Sequence, residues 1–326
     1  MDSNALEKTN SHKFLKLRFN LEKPAISLRK LLKQELLLVV NLYRQSLNLQ
    51  SNNNLLDTFI DRQLILLPLE HQRSLLPLND LYRSIPLCYS CPLGLILARQ
   101  LQISPQKVVE NLGILLARHN GVDREKSSLP LYLMIDSGWL NFYVTERAIA
   151  SWLERSLWLF KTQIENDRSN SILRTSDRQE NSDLFRVQYI HARCYSLLRL
   201  GARERLIALS NGDSYIGWQL TQPQSISWLD SEHHLWFDRR SEYNLLRQLL
   251  IVTDARTASD RNIWLKLALD LSQTTAIFLA DCRFLGEIKE QYPQKAIARL
   301  GLIAMAQYWL QKILVEKLNI TAPTTL

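Results

Sequence analysis

Val187-Gln188-Tyr189-Ile190-His191-Ala192-Arg193-Cys194-Tyr195-Ser196-Leu197-Leu198-Arg199 is the stretch that decides how this chain folds. Turned at about 100° per residue, Val187, Ile190, Cys194, Leu197, Leu198 and Gly201 form one apolar stripe, with His191 at its margin. Arg193 and Arg199 fall well outside it. The pattern predicts a helix that packs along one side and presents arginines on the other. His191 then reads as a packed, hydrogen-bonded histidine, and the arginines as exposed basic side chains.

Residues 163–183, just upstream, contain almost nothing apolar, which predicts a polar linker and a domain boundary. Downstream, Leu184 to about Ala208 reads as helix. The stretch 209–240 is irregular and carries Trp218, Trp228 and Trp236, and long helices follow near 241–254, 260–285 and 293–318. Before the linker, residues 1–24 are polar and mixed and read as a leader. Leu28, Leu31, Leu32, Leu36, Val39 and Val40 recur at helical spacing between Ala25 and Asn48, and the polar run 50–54 breaks that helix. Pro68, Pro77 and Pro86 punctuate an irregular stretch. From Pro92 to Arg118 two helices are expected to meet at Ser104-Pro105, an N-cap followed by the first helical position. Between Leu131 and Val144 the aromatic and β-branched content predicts two strands joined near Asp136-Ser137-Gly138. Leu140, Phe142 and Val144 share one face of the second strand, and Trp139, Asn141 and Tyr143 the other. Thr145-Glu146 then suits a helix start, running to about Phe160. The expectation is a mainly α protein: a small α/β domain over 25–162 with a short antiparallel sheet, then an all-α helical bundle over 184–326. No internal repeat is visible.

With 326 residues, 46% apolar and 22% charged, the chain has the composition of a soluble globular protein, and only nine glycines among leucine-rich runs favour helix. The net charge of +8 favours polyanions such as RNA over acidic partners. Part of that excess is local, since Lys13, Lys16, Arg18, Lys23, Arg29, Lys30 and Lys33 are opposed only by Glu22, a pattern that a solvated helix face and a leader also produce. The early apolar run Leu36 to Val40 falls far short of the roughly 18 residues a membrane span needs, so a cytoplasmic protein without a membrane partner is expected. Cys88-Tyr89-Ser90-Cys91 has the spacing of half a zinc site, but no second Cys or His pair follows at finger-like spacing. Reduced thiols, with neither metal nor cofactor, are expected.

Three ordered stretches resemble arginyl-tRNA synthetases. Tyr89-Ser90, Leu93, Leu97-Ala98-Arg99-Gln100-Leu101, Ser104-Pro105 and Ser137-Gly138-Trp139-Leu140-Asn141-Phe142 are similar to that family's N-terminal additional domain. The run from Val187 to Arg199 resembles the helix that opens its DALR-type anticodon-binding domain. Ala296-Ile297-Ala298-Arg299-Leu300, Leu302-Ile303-Ala304 and the stretch Leu318 to Leu326 are similar to its closing helix and tail. The order and rough spacing hold across 25–155 and 184–326. The chain departs from the family at Leu279, where a Phe-Tyr pair is common, and at Leu326, where the family usually has methionine.

Between the first two stretches, where the family carries its nucleotide-binding catalytic domain, this chain has only the polar linker. Class I adenylate chemistry needs a His-x-Gly-His motif and a Lys-Met-Ser-Lys-Ser loop to stabilise the pentacovalent phosphate. The nearest match, His119-Asn120-Gly121-Val122, lacks the second histidine and reads as a turn, and neither Met134 nor Met305 lies in a lysine-serine loop. The resemblance therefore implies a paralogue that binds tRNA without activating an amino acid. It implies RNA contacts from Asp136, Trp139 and Asn141 in the first domain, Trp139 by stacking on an unpaired base, and from Gln188, Tyr189, Arg193, Arg199 and Arg299 in the second. Two other readings stand beside it. One is an accessory role in arginyl-tRNA aminoacylation in trans, the other a scaffold holding a protein partner through exposed Trp218, Trp228 and Trp236.

Overall fold

The structure, a computed structural model, describes residues 8–9, 12–20, 27–48, 53–67, 87–120, 128–167, 182–210, 220–256 and 258–325. Two compact units are present, Met1–Ser151 and Trp152–Leu326.

The first unit is built on a six-stranded antiparallel sheet. Its strands are β1 (Lys8–Thr9), β2 (His12–Asn20), β3 (Ile65–Leu66), β4 (Leu87–Cys91), β5 (Ser128–Asp136) and β6 (Trp139–Val144), in the spatial order β1-β2-β5-β6-β4-β3. A tight turn joins β5 to β6: Ser137 and Gly138 both have positive φ, 44° and 94°, the primed geometry that matches strand twist. The register pairs Leu133 with Phe142 and Ile135 with Leu140. Tyr89 of β4 in turn pairs with Phe142. These residues line the face covered by α4 (Pro105–Asn120), while α3 (Leu93–Leu101) reaches β6 and α1 (Leu28–Ser46) packs on α4.

Local chemistry accounts for the helix starts. Ser27 Oγ accepts from Lys30 N at 3.0 Å, Ser104 Oγ from Lys107 N at 3.4 Å, and Thr145 Oγ1 from Ala148 N at 3.2 Å, each satisfying a donor that a helix N-terminus leaves open. The buried side of α1 is Leu28, Leu31, Leu32, Leu36, Val39, Val40 and Tyr43. Asn111 Nδ2 donates to Tyr43 Oη at 3.1 Å and ties α1 to α4. The basic cluster at its start is paired within the unit: Lys33 Nζ lies 3.0 Å from Asp57 and also meets Asp61, both on α2 (Asn53–Gln63), and Arg29 donates to the Asp61 carbonyl.

The second unit is helical. It takes in the latter part of α5 (Glu146–Asp167), then α6 (Ser182–Arg203), α7 (Arg240–Asp254), α8 (Arg261–Asp281), the short α9 (Glu287–Gln291), α10 (Pro293–Lys312) and a π-helical turn, Ile313–Lys317. Two short strands, Ala208–Leu209 and Leu220–Gln222, pair antiparallel after α6. α10 packs against α6, α7 and α8 and is buried nearly all round, from Ala296 and Leu300 through Met305 to Leu310, as a central bundle helix must be. α6 approaches it closely at Gly201, where a Cβ would stand 2.8 Å from Leu300 Cδ1. α8 is long and apolar enough to cross a membrane by length and composition, and here its Trp264, Leu267, Leu271 and Phe278 are buried in the bundle.

The mainly α architecture, with a small antiparallel sheet in the first half and a helical second half, agrees with the sequence reading. Its boundaries differ. Residues 12–20 are not a leader: they form β2, paired with β5 over eight positions, with Leu17 fully buried. Leu15, Leu17 and Phe19 alternate with Lys16 and Arg18, a period-two signal that the basic composition obscures. α5 continues to Asp167, so 163–167 are helix rather than linker, since a helix closes its hydrogen bonds within its own backbone and needs no apolar residues to do so. The division between units falls inside that helix, at Ser151/Trp152, rather than in the polar stretch. Residues 168–181 of the expected linker lie outside the described residues, as do Pro68, Pro77 and Pro86.

The turn at Gly138 sits against the start of α3: Gly94 N donates to the Gly138 carbonyl at 3.0 Å, and a Cβ on Gly94 would come within 2.7 Å of that oxygen and 2.9 Å of Gly138 Cα. Both obstacles are backbone and cannot rotate away. Gly94→Ala is therefore expected to destabilise the protein by about 1–3 kcal/mol, read as a lower midpoint in chemical denaturation, whereas alanine at the exposed neighbour Leu95 leaves the midpoint nearly unchanged.

Candidate nucleic-acid interface

The stripe expected on α6 is the packed side. Val187, Ile190, Cys194, Leu198 and Gly201 are buried and Leu197 is half-buried. His191 lies among them, 1% exposed: its Nδ1 is 2.8 Å from the Pro323 carbonyl and its Nε2 is 3.0 Å from Gln307 Nε2. Gln307 can only donate through that nitrogen, so Nε2 accepts and the proton sits on Nδ1. Burial lowers the histidine's pKa, and the bond to Pro323 partly offsets this.

The opposite side of α6 is an exposed row. Arg193 and Arg199 face solvent, and about five helical turns bring Phe185 and Arg203 to the same side, with Tyr189 and Ser196 between them. Phe185 is 59% and Tyr189 50% exposed, unusual values for large aromatics in a bundle. Neither Arg193 nor Arg203 makes a hydrogen bond or ion pair among the described residues. The row spans roughly 27 Å, aromatic at its N-terminal end and cationic at its C-terminal end. No acidic residue interrupts it, since Glu204 stands to one side, bound to Lys289 Nζ at 2.6 Å. Phe185 and Arg203 were legible from the same spacing that defines the apolar stripe but escape a reading centred on Val187 to Arg199.

Other expected contacts are engaged elsewhere. Arg299 is not available to a phosphate: it is 3% exposed, its Nε donates to Glu242 Oε1 at 2.7 Å and its Nη1 to the Arg283 carbonyl. Glu242, fully buried at the start of α7, also accepts from the backbone of Asp238 and Arg239 at 2.8 and 2.7 Å. Burial raises the Glu242 pKa while the Arg299 charge opposes that shift. The partner lies 57 positions away in sequence, so helical periodicity could not reveal it. Gln188 is likewise committed, its Nε2 donating to the Thr321 carbonyl at 2.8 Å.

In the first unit, Trp139 is 37% exposed at the head of β6, beside the turn whose Gly138 lies against Leu95, itself 41% exposed. Asp136, half-exposed, accepts from Ser137 Oγ at 2.9 Å. Asn141 does not face outward with Trp139: it is 4% exposed and its Oδ1 accepts from Ser90 Oγ at 2.6 Å. Period two puts the two on one face as expected, but Cys88, Met134 and Tyr143, with Tyr132 and Leu67, make that face a second core. Among its described residues, Trp139 at the tip and Ile65 at the β3 edge reach solvent. Cys88 and Cys91, three positions apart on β4, point to opposite faces and cannot share one ion, and burial pushes both thiols up to about 12.

The tryptophans expected to hold a protein partner are not an exposed cluster. Trp228 is 3% exposed, its Nε1 donates to Glu154 Oε2 at 3.1 Å and its ring lies where Gly301 has no side chain. Trp236 is half-buried, and Trp218 lies outside the described residues. His119, from the nearest match to a class I motif, ends α4 with Nδ1 3.3 Å from Glu35, and Gly121 and Val122 lie outside the described residues.

No protein-family model, curated protein or solved structure matches the chain.

The contrast between buried and exposed arginines is measurable. Arg299→Ala leaves Glu242 buried beside no countercharge and is expected to cost about 3–5 kcal/mol of stability, whereas Arg193→Ala leaves the urea midpoint where it was. Equal midpoints for the two variants would mean that Arg299 does not hold α10 to α7.

Proposed function

We propose that the protein is a tRNA-binding paralogue of arginyl-tRNA synthetase that lacks the catalytic core, and that it binds through the exposed row of α6 and the tip of the β5–β6 turn. The observation that carries this reading is the row itself: Phe185 and Tyr189 followed by Arg193, Arg199 and Arg203 on one solvent-facing side, in the stretch that resembles the family's anticodon-domain helix. Arginines at helical spacing neutralise successive phosphates, and exposed aromatics stack on unpaired bases, the two terms that dominate single-strand recognition. The net charge of +8 adds attraction at a distance. Trp139 supplies a second stacking platform. Asp136 repels phosphate, so its contact is to a base or ribose donor.

No residue constellation for adenylate formation accompanies these surfaces, so the activity proposed is binding. A role in arginyl-tRNA synthesis therefore runs through a separate synthetase that supplies the chemistry.

Bulk tRNA titrated at low salt is the first test, and absence of binding there sinks the proposal. Replacing Arg193, Arg199 and Arg203 together by alanine is expected to flatten the plot of log affinity against log salt by about 0.7–0.9 per lost phosphate contact. Trp139→Ala should weaken binding by about tenfold, the order expected for one stacked base, while leaving that slope unchanged. Equal salt slopes for wild type and the triple variant would remove α6 from the interface.

A further inference from the structure

After the π-helical turn the chain leaves α10's end through Asn319, whose φ of +55° turns it back, and Ile320 N donates to the Leu314 carbonyl at 2.8 Å. From Thr321 to Thr325 no backbone hydrogen bond joins the chain to other described residues. Two side chains one turn apart on α6 hold it: Gln188 Nε2 donates to the Thr321 carbonyl and His191 Nδ1 to the Pro323 carbonyl, both at 2.8 Å. Behind the imidazole, Gln307 Nε2 donates to His191 Nε2 at 3.0 Å and to Gln311 Oε1 at 3.1 Å.

This arrangement favours a neutral ring. A proton on Nε2 turns that atom into a donor facing the Gln307 amide nitrogen, also a donor, and presenting the Gln307 oxygen instead breaks the bond to Gln311 unless that amide turns as well. Among the described residues of the elements packed against the ring, no countercharge offsets the new charge. The stretch Ile303 to Gln311 of α10 and the segment Thr321 to Thr325 contain no charged residue. The buried face of α8 is Trp264, Leu267, Ala268, Leu271, Ser272, Thr275 and Phe278, with Lys266 and Asp270 exposed, and on α6 itself Arg186 and Arg193 face solvent.

We propose that Thr321–Thr325 is a proton-released latch on α6, seated while His191 is neutral and set free when His191 takes up a proton. The sign follows from burial. The ring's pKa is lowered in the seated state from its ordinary 6.5, so seating is fully favoured above that value and is lost as pH falls below it. Release frees Gln188, the neighbour of Tyr189, and so changes the edge of the exposed row. The latch does not depend on the RNA reading: it stands on the hydrogen bonds alone.

The test uses the intact chain in NMR from pH 7.5 to 5, following the His191 ring resonance and the backbone relaxation of Thr324 and Thr325. The expected result is one shared midpoint below 6.5, with the ratio of free to seated segment rising about tenfold per pH unit for a single linked proton and α8 amides unchanged. In His191→Asn, whose amide can donate from nearly the Nδ1 position but does not titrate, the segment should be insensitive to pH. Gln188→Leu, which removes one of the two holds, should move release to higher pH. A segment that stays rigid while His191 titrates overturns the latch. So does release that persists in His191→Asn. Should that variant fail to fold, coincident or separate midpoints in the wild type decide the matter.

Discussion

Arg299 is the charge around which the helical unit is arranged. Burying a guanidinium is strongly unfavourable unless its donors are met, and here Glu242 takes Nε while the Arg283 carbonyl takes Nη1. The consequences spread through the connections. Glu242 is held by the amides that open α7, and Arg283 follows the end of α8. One buried cation therefore fixes how α10 meets α7 and how the chain turns between α8 and α9. Lys295 adds an outer contact to Asp238 at 2.9 Å, and Arg299 Nη2 lies 3.6 Å from the same carboxylate.

The sheet unit obeys a different constraint. Its central strands are buried on both faces, with Leu133, Phe142 and Tyr89 under α4 and Cys88, Met134 and Tyr143 on the reverse. Polar groups in such strands must find partners inside, which is why Asn141 and Ser90 bond to each other. The β5–β6 turn escapes, since Ser137 and Gly138 adopt positive φ and Trp139 stands at the surface beside them. The close approach of Gly94 to Gly138 sets where that tip stands on α3.

These two constraints sort the side chains into those bound within the fold and those at the surface. His191, Gln188, Arg299 and Asn141 are spent on the fold. Phe185, Tyr189, Arg193, Arg199, Arg203 and Trp139 remain at the surface. The same helix thus serves two purposes, one side closing the bundle and the other facing outward.

The sequence by itself determined the elements whose signal is local. Periodicity located α1, α6 and the long later helices, the caps at Ser104 and Thr145 located helix starts, and Ser137-Gly138 located the turn. It also separated Arg193 and Arg199 from the packed stripe, because burial on a single helix follows its own angle. Only the tertiary structure decided the rest. Whether Arg299 is a surface cation or a buried one depends on Glu242, and whether Asn141 is open depends on what covers the second face of the sheet. β2 gains its place from pairing with β5, more than a hundred residues away. Such partners are remote in sequence, and no pattern confined to one segment can encode the distance between them.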